Sequence, residues 1–181
     1  MGLGLSRHAG AHPPRRQVLL PVKGAVGAHI EELRARWDPE VAARIPAHIT
    51  LVYSLSGDVE ATVAGVVSTV PKFHLVLNDP FAWKEPGAGV AFDVTDVEGG
   101  LEGLIAKLRR RGIAPTAHPH ITVVHEATAR RRPLAAEQAL AEARALAGGG
   151  RIEVDHIVVM EEGASGWREQ HRFPLALASQ T

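Results

Sequence analysis

The tripeptide His-Ile-Thr occurs twice in this 181-residue chain, at 48–50 and at 120–122. Each copy lies in a run of apolar and β-branched residues, which favours a β-strand. Side chains alternate between the two faces of a strand, so the His and the Thr of each copy share one face while the Ile points to the other. Two predicted strands therefore each present an imidazole beside a hydroxyl.

The two tripeptides belong to a longer repeat. Val18, in a short apolar strand, precedes His48 by thirty residues, and Val90 precedes His120 by the same distance. In both halves a strand, a helix and the motif strand are followed by a helix, a strand, a loop and a strand. Since neither half has a large core of its own, we expect two similar lobes about a pseudo-twofold axis. The two motif strands would then face each other across a central cleft.

The predicted boundaries follow from this order of elements. Residues 1–16 contain Gly, Pro and Arg without periodicity, so a disordered tail is expected there. Residues 17–181 are predicted to form a single bilobal domain, with a first repeat at about 17–88 and a second at about 89–178. Besides the motif strands, the predicted strands are 17–22, 73–77, 90–94, 152–159 and 172–177, and the predicted helices are 29–37, 59–70, 101–108 and 134–147.

Composition excludes several classes of protein. The chain is 45% hydrophobic and 22% charged, which is typical of a soluble globular protein. Twenty basic and twenty acidic residues balance, which argues against a partner such as duplex DNA. Because there is no cysteine, disulfides, thiolate metal sites and cysteine nucleophiles are excluded. No apolar run has the length of a membrane helix and no signal peptide is evident, so we expect a cytoplasmic monomer without a membrane partner.

Paired imidazoles are typical of acid–base catalysis. The pKa of histidine lies near neutral pH, so one imidazole can be neutral while the other is protonated. The neutral ring would take a proton from water or a ribose hydroxyl, and the protonated ring would give one to the leaving alkoxide. Thr50 and Thr122 would donate hydrogen bonds to the non-bridging phosphoryl oxygens. This scheme needs no metal and no other cofactor, and the sequence does not say which His is the base.

Two His-x-Thr motifs in a duplicated chain of this length resemble the 2H phosphoesterase superfamily, within it the 2′-5′ RNA ligase-like and cyclic phosphodiesterase group. The resemblance covers about residues 17–178. It implies an α+β, duplicated bilobal fold with two antiparallel-sheet lobes, helices outside and a central cleft. It also implies metal-independent hydrolysis of a 2′,3′-cyclic or 2′,5′-linked phosphodiester in a nucleotide or RNA-end substrate. By motif match the catalytic residues are His48, Thr50, His120 and Thr122.

Four further residues are predicted to bind the substrate: Tyr53, Trp83, His125 and Trp167. Trp83 is followed by Lys84 and Trp167 by Arg168, so an indole adjoins a cation in the predicted corresponding loop of each half. Such a pair could stack a base and screen a phosphate. Each Trp could instead close its own loop against the lobe.

Tyr53 and His125 each follow a motif. By alternation Tyr53 lies on the face of Ile49, where it could simply belong to the core. His125 stands where members of the ligase-like group often carry Arg, and alternation points it away from His120 unless the strand bulges. The choice of substrate within the superfamily therefore stays open.

Other interpretations of the same residues also stay open. Both motifs could be core strands whose His bonds to the backbone. His118 and His120, with His125 or His156, could bind a metal, although their spacing lacks the helical geometry of zinc-hydrolase motifs. The cleft could bind a nucleotide or RNA end without catalysis, or could ligate RNA ends. The run of three Arg at 130–132 is either a solvated loop or a contact for a polyanion.

Overall fold

Eight strands form one curled antiparallel sheet in the computed structural model, which describes residues 14–55, 59–83, 89–146 and 150–177. The strands are β1 (Arg16–Pro21), β2 (His48–Val52), β3 (Phe73–Ala82), β4 (Val90–Asp96), β5 (His120–Val124), β6 (Arg151–Val154), β7 (His156–Gly163) and β8 (Gly166–Pro174). The helices are α1 (Gly24–Trp37), α2 (Pro39–Ala42), α3 (Glu60–Val67), α4 (Gly100–Arg110), α5 (Glu126–Arg131) and α6 (Pro133–Ala143), and a 3₁₀ helix follows at Arg144–Leu146.

The sheet order is β6-β3-β4-β5-β2-β1-β7-β8, so the two motif strands are its central pair. Beside them lie β4 and β1, the strands that precede the two motifs at the same distance in sequence. Outside these lie β3 on one side and β7 on the other. The predicted α+β fold with a pseudo-twofold arrangement of antiparallel strands is confirmed.

The two halves of the sheet exchange strands. β3 follows the first motif along the chain but pairs with β4, in the half that holds the second motif. β7 and β8 follow the second motif but continue the half that holds the first. Each half of the sheet therefore takes strands from both sides of the repeat boundary predicted near residue 89. That boundary divides the predicted sequence repeats and does not divide the sheet, and it stays a prediction.

Several predicted bounds are corrected. The predicted strand 152–159 is two strands separated by Asp155, and the loop predicted between it and the strand 172–177 is a hairpin in which Gly163 pairs with Gly166. Gly166, in this tight turn, has a φ of 119°, which glycine adopts readily and other residues rarely do. Helices α2 and α5 have no predicted counterpart. Helix α1 begins five residues before its predicted start, β3 ends five residues beyond its predicted end, and β8 begins six residues before its predicted start, whereas the other predicted strands and helices are confirmed within a few residues of their ends. The predicted tail lies outside the described residues except for its last three, and β1 begins at Arg16.

The helices cover one face of the sheet. Apolar residues of α1, α3, α4 and α6 form a buried cluster with the two motif isoleucines, Ile49 and Ile121, both fully buried. The opposite face carries a smaller buried cluster of Leu19, Ile45, Val158 and Met160. Alternation along the strands therefore turns the motif His and Thr side chains away from the main core, towards this second face. No helix in the described part of the chain has the length and apolar character needed to cross a membrane.

The start of α1 packs closely on the residue that follows β1. A Cβ added to Gly27 would lie 2.4 Å from the carbonyl oxygen of Val22, whereas a Cβ added to Gly65 in α3 would meet nothing within 4 Å. We expect Gly27→Ala to lower the free energy of unfolding by about 1–3 kcal/mol, because backbone must shift. Gly65→Ala should raise it by about 0.5–1 kcal/mol, since Ala is favoured over Gly inside a helix. Urea denaturation measures both, and equal effects would contradict the close contact at Gly27.

Candidate active site

The register of the central strands brings the two motifs together. β2 and β5 run antiparallel, and the two motif isoleucines are paired with each other. This register sets His48 opposite Thr122 and Thr50 opposite His120, all four on the face away from the main core. Side chains directly opposite each other in such a pair have Cβ atoms about 4.5–5.5 Å apart. The structure therefore assembles one compact group of two imidazoles and two hydroxyls.

Each motif imidazole is held by the same backbone contact. His48 Nδ1 lies 2.6 Å from the carbonyl oxygen of Pro46, and His120 Nδ1 lies 2.8 Å from that of His118. A carbonyl oxygen only accepts hydrogen bonds, so Nδ1 carries the proton and donates it in both rings. In the neutral tautomer Nε2 is then left with a lone pair and can accept a proton.

The surroundings of His48 disfavour its protonated form. Burial lowers the pKa of His48 to about 4, although the hydrogen bond to Pro46 opposes that change. The nearby Arg34 guanidinium and the His120 imidazole lower the pKa of His48 further. At neutral pH this imidazole is therefore neutral in the free protein, as a general base must be.

Burial also lowers the pKa of His120, but a carboxylate opposes the change. The hydrogen bond to the His118 carbonyl raises the pKa of His120, the His118 imidazole lowers it, and Asp93 raises it. Asp93 is directly opposite His120 in the pairing of β4 with β5. The corresponding partner of His48 in the pairing of β1 with β2 is Pro21. The two halves of the sheet therefore differ beside the imidazoles, because a carboxylate adjoins His120 and a proline adjoins His48.

Two charged residues of α1 hold the segment that precedes the first motif. Arg34 donates from Nη2 to the carbonyl oxygen of Ile45 at 2.8 Å, and Glu31 accepts from the backbone N–H of Ala47 at 2.5 Å. The side chain of Arg34 is only 3% exposed and lies 3.4 Å from the Glu31 carboxylate. Pro46, whose carbonyl orients the imidazole, is thus fixed from both sides. The sequence shows only two opposite charges three residues apart on a predicted helix, so the role of this pair was not predicted.

Trp83 lies against the second motif. Its ring makes edge contacts with His120 at 5.0 Å, with His118 at 5.5 Å and with Phe81 at 5.0 Å between centroids. The indole remains 37% exposed, so part of it is open to a ligand. An open cavity of about 400 Å³ adjoins this aromatic group, and it is lined by Asn78, Asp79, Pro80, Phe81, Asp93 and His118.

Tyr53 lies at the site rather than in the core. Alternation would place it beside Ile49, but β2 ends at Val52, and the Tyr53 side chain is 46% exposed. Partial burial raises the pKa of the Tyr53 phenol, and a hydrogen bond with the Thr50 hydroxyl opposes the rise. The alternative of a core position therefore does not apply, and the phenol adjoins the motif residues.

His125 lies beyond the end of β5 and caps helix α5. Its Nδ1 accepts a hydrogen bond from the backbone N–H of Ala127 at 3.2 Å. Its own backbone N–H donates to Asp38 at 2.8 Å. The strand ends at Val124, so alternation does not decide where this imidazole points. The contact found for the ring is a local one to its own helix.

Trp167 is not the counterpart of Trp83. It lies in β8 rather than in a loop, where it pairs with Glu162. The strand register makes Met160 the residue equivalent to Trp83, and Trp167 packs on the cluster that contains Met160. Arg15 lies over its ring at 5.7 Å. The prediction that Trp167 lies in a loop is therefore wrong, and Lys84 falls outside the described residues.

The other histidines do not form a metal site in the described part of the chain. The rings of His118 and His120 are 6.1 Å apart, and His156 bonds to its neighbour Asp155. Within residues 14–55, 59–83, 89–146 and 150–177, no three His, Asp or Glu side chains are grouped as a metal ion requires.

The predicted Arg run lies at α5 and the residue after it. Arg130 forms an ion pair with Glu126, and Arg131 with Glu40. A smaller cavity of about 280 Å³ is found here, lined by Asp38, Pro39, Glu40, Thr128, Arg131 and Arg132. The run is thus partly neutralised by carboxylates.

Comparison with known proteins agrees with this architecture. A sequence model of the 2′-5′ RNA ligase superfamily matches residues 22–166. E. coli LigT complexed with 3′-AMP is 19% identical with a TM-score of 0.57, and the match covers 91% of this chain and 99% of LigT. TT0787 of Thermus thermophilus is 16% identical with a TM-score of 0.58, covering 91% and 99%.

A more distant likeness is to Usb1 of Kluyveromyces marxianus, which is 11% identical with a TM-score of 0.51 and coverage of 88% and 97%. None of the curated proteins compared with the chain matches it. At these identities the structural matches show a shared fold.

The buried Arg34 should affect both stability and the first imidazole. We expect Arg34→Met to lower the free energy of unfolding by about 1–3 kcal/mol, because the Ile45 carbonyl loses its partner. Removing this positive charge should also raise the pKa of His48 above its value of about 4. Denaturant unfolding and an NMR titration of the imidazoles measure the two effects. Arg36→Met, an exposed change on the same helix, is the control, and an unmoved His48 titration in Arg34→Met would contradict the assigned contact.

Proposed function

We propose that this chain, which belongs to the 2′-5′ RNA ligase superfamily, is a metal-independent phosphodiesterase acting on nucleotides or RNA ends. Its substrate would carry a 2′,3′-cyclic or 2′,5′-linked phosphodiester. The observation that carries the proposal is the pair of imidazoles, each held through Nδ1 with Nε2 free, beside two hydroxyls. Two groups able to exchange protons are what phosphodiester hydrolysis needs and simple binding does not.

Hydrolysis would proceed in one displacement at phosphorus. A neutral imidazole takes a proton from water at Nε2 while the water oxygen forms a bond to phosphorus. The bond between phosphorus and a ribose oxygen breaks, and the protonated imidazole donates its Nε2 proton to that oxygen. The hydroxyls of Thr50 and Thr122 donate hydrogen bonds to the non-bridging oxygens. The product is a phosphomonoester, and the enzyme has moved one proton from one ring to the other.

The structural relatives support a nucleotide as the class of substrate. E. coli LigT has been solved in complexes with 3′-AMP, with ATP and with NADP+. The present chain shares its fold and has an exposed Trp83 edge and the Tyr53 phenol next to the motif residues. Stacking on such aromatic groups is how bases bind without sequence preference.

We therefore propose that Trp83 and Tyr53 bind the nucleobase of the substrate. His125 and Trp167 stay predicted contacts for a longer RNA end, because the contacts described for these two side chains are with other residues. A cytoplasmic location and a monomeric state, expected from composition, are also part of the proposal.

The direct test uses 2′,3′-cyclic nucleotides and a 2′,5′-linked dinucleotide in the presence of EDTA. We expect turnover by the wild type, and losses of roughly 10²–10⁴-fold in kcat/KM for His48→Ala and for His120→Ala, since each removes one proton-transfer group. His74→Ala is the control, because that ring is paired with Glu98.

Other results of this experiment would contradict the proposal or favour a different function. Activity that survives both motif substitutions would disprove the assignment of the catalytic pair. Loss of activity with EDTA would require a metal. Tight binding of the nucleotides without turnover would favour a binding module, and joining of RNA ends in place of hydrolysis would favour a ligase.

The motif hydroxyls should act mainly on the transition state. Thr50→Val and Thr122→Val keep the branched shape of the side chain but remove the donor, and we expect each to lower kcat by roughly 10²–10³-fold, as loss of an oxyanion donor does. Thr→Ser at the same positions should restore most of the rate. Steady-state kinetics on the cyclic substrate separates kcat from KM, and a change in KM alone would show a role in binding only.

A further inference from the structure

We infer that the cavity beside Trp83 selects guanine as the nucleobase of the substrate, with Asp93 and Asp79 accepting hydrogen bonds from the N1–H and the 2-amino group of the ring. The inference rests on the proposed function and deepens it, because that function leaves the identity of the nucleobase open. An irregularity in strand β3 and the hydrogen-bond acceptors that it brings into the cavity support this assignment.

Strand β3 has a bulge where it lines the cavity. Its register against β4 shifts between Leu77 and Pro80, so two residues of β3, at 78 and 79, lie opposite the single residue Asp93. A bulge of this kind bends the strand and re-aims its side chains. Pro80 suits the irregularity because it has no N–H for the sheet ladder. The bulge thus brings Asp79 to the same cavity as Asp93.

The two carboxylates have free acceptor capacity. One oxygen of Asp93 accepts the backbone N–H of Val94 at 2.9 Å, and the other oxygen has no hydrogen-bond partner among the described residues. The exposed Asp79 side chain forms no hydrogen bond or ion pair within the described part of the chain. The amide of Asn78 is already engaged, since it donates to the Thr95 hydroxyl at 2.8 Å and accepts from it at 3.1 Å. The cavity therefore offers acceptors to a ligand.

The cavity favours a flat, uncharged ligand over a phosphate. Two carboxylates repel a phosphate, and none of the described residues that line the cavity is Lys or Arg. Phe81, Trp83 and His118 form an aromatic group beside it, with ring centroids between 5.0 and 5.9 Å apart. A nucleobase can stack on such rings and direct its polar edge at the acceptors. The volume of about 400 Å³ is within the range of small-molecule pockets.

Guanine fits these acceptors better than the other bases. Its Watson–Crick edge presents two adjacent donors, N1–H and the 2-amino group, which carboxylate oxygens accept as a pair. Adenine and cytosine present one amino group beside a ring nitrogen with a lone pair, and uracil presents one N–H between two carbonyls. In each of these an acceptor would face a carboxylate. The His118 imidazole at the edge of the cavity can donate to the 6-carbonyl of guanine.

The cavity adjoins the motif residues. Asp93 lies opposite His120 in the pairing of β4 with β5, and the Trp83 ring is 5.0 Å from that of His120. A base bound here would belong to the nucleoside whose phosphate contacts the motif residues. In the other half of the sheet the position of Asp93 is taken by Pro21, which has no side-chain acceptor. The selection of the base is therefore confined to one side of the cleft.

Cyclic nucleotides that differ only in the base test the inference. We expect the wild type to hydrolyse guanosine 2′,3′-cyclic phosphate with a kcat/KM roughly 5–100-fold above that of the adenosine, cytidine and uridine compounds, because a bidentate contact discriminates on that scale. The inosine compound, which differs from the guanosine compound only in lacking the 2-amino group, should fall roughly tenfold below it. Equal kcat/KM for all five compounds would overturn the preference.

Asp93→Asn and Asp79→Asn test the two acceptors. An amide can present a donor where the carboxylate presented an acceptor, so each variant should lower the guanosine-to-adenosine ratio of kcat/KM by roughly fivefold or more. Asp93 also raises the pKa of His120, but that effect is common to all the substrates and cancels in the ratio. Glu153→Gln, the same change of charge on β6, is the control and should leave the ratio unchanged. An unchanged ratio in both Asp variants would overturn the role of the carboxylates.

Direct binding separates this inference from the proposed function. Titration calorimetry with the 3′-monophosphates of guanosine, inosine and adenosine measures the preference for the base without turnover. Tighter binding of the guanosine compound, without hydrolysis of any cyclic phosphate, would support the preference and disprove the phosphodiesterase function. Hydrolysis of all the cyclic phosphates at equal rates, with equal binding of the three monophosphates, would support the function and overturn the preference.

Discussion

The pairing of Ile49 with Ile121 is the contact on which the rest of the site depends. Both side chains are fully buried against the helices, and burial of each contributes about 1.5–3 kcal/mol. Because strand side chains alternate, a slip of one residue would move these isoleucines out of the core and the motif His and Thr into it. The hydrophobic requirement of one face thus sets the register of the polar residues on the other.

The strand exchange explains why the site cannot be built from half of the chain. Each central strand is supported by strands that come from both sides of the predicted repeat boundary, so folding of one half requires the other. The same topology supplies the differences between the halves. Asp93 and Pro21 occupy equivalent positions beside the two rings, and Trp83 is matched by Met160. The nearly symmetric sheet therefore places different residues beside the two motif imidazoles.

Much of this arrangement follows from local patterns. The motif strands, the α+β fold and the convergence of the motifs were predictable, because apolar periodicity and a constant spacing carry that information. The face that alternation gives to Tyr53 and the loop predicted around Trp167 were wrong for a common reason. Alternation holds only while a strand continues, and where a strand ends or turns is decided by its pairing with neighbours. The Arg34 and Glu31 contacts were missed because they join a helix to a distant loop.

By itself the sequence determined which residues are the candidates for the chemistry, since two copies of His-x-Thr at equal spacing can be recognised from the sequence alone. It also determined that the two copies should be related by a pseudo-twofold axis. Only the tertiary structure decided what surrounds each imidazole. Burial lowers the pKa of both His48 and His120, and Arg34 and Asp93, which reach the two rings from a helix and from another strand, act on these pKa values as well. Electrostatic influence acts through space, and distances through space are set by the packing of the whole chain.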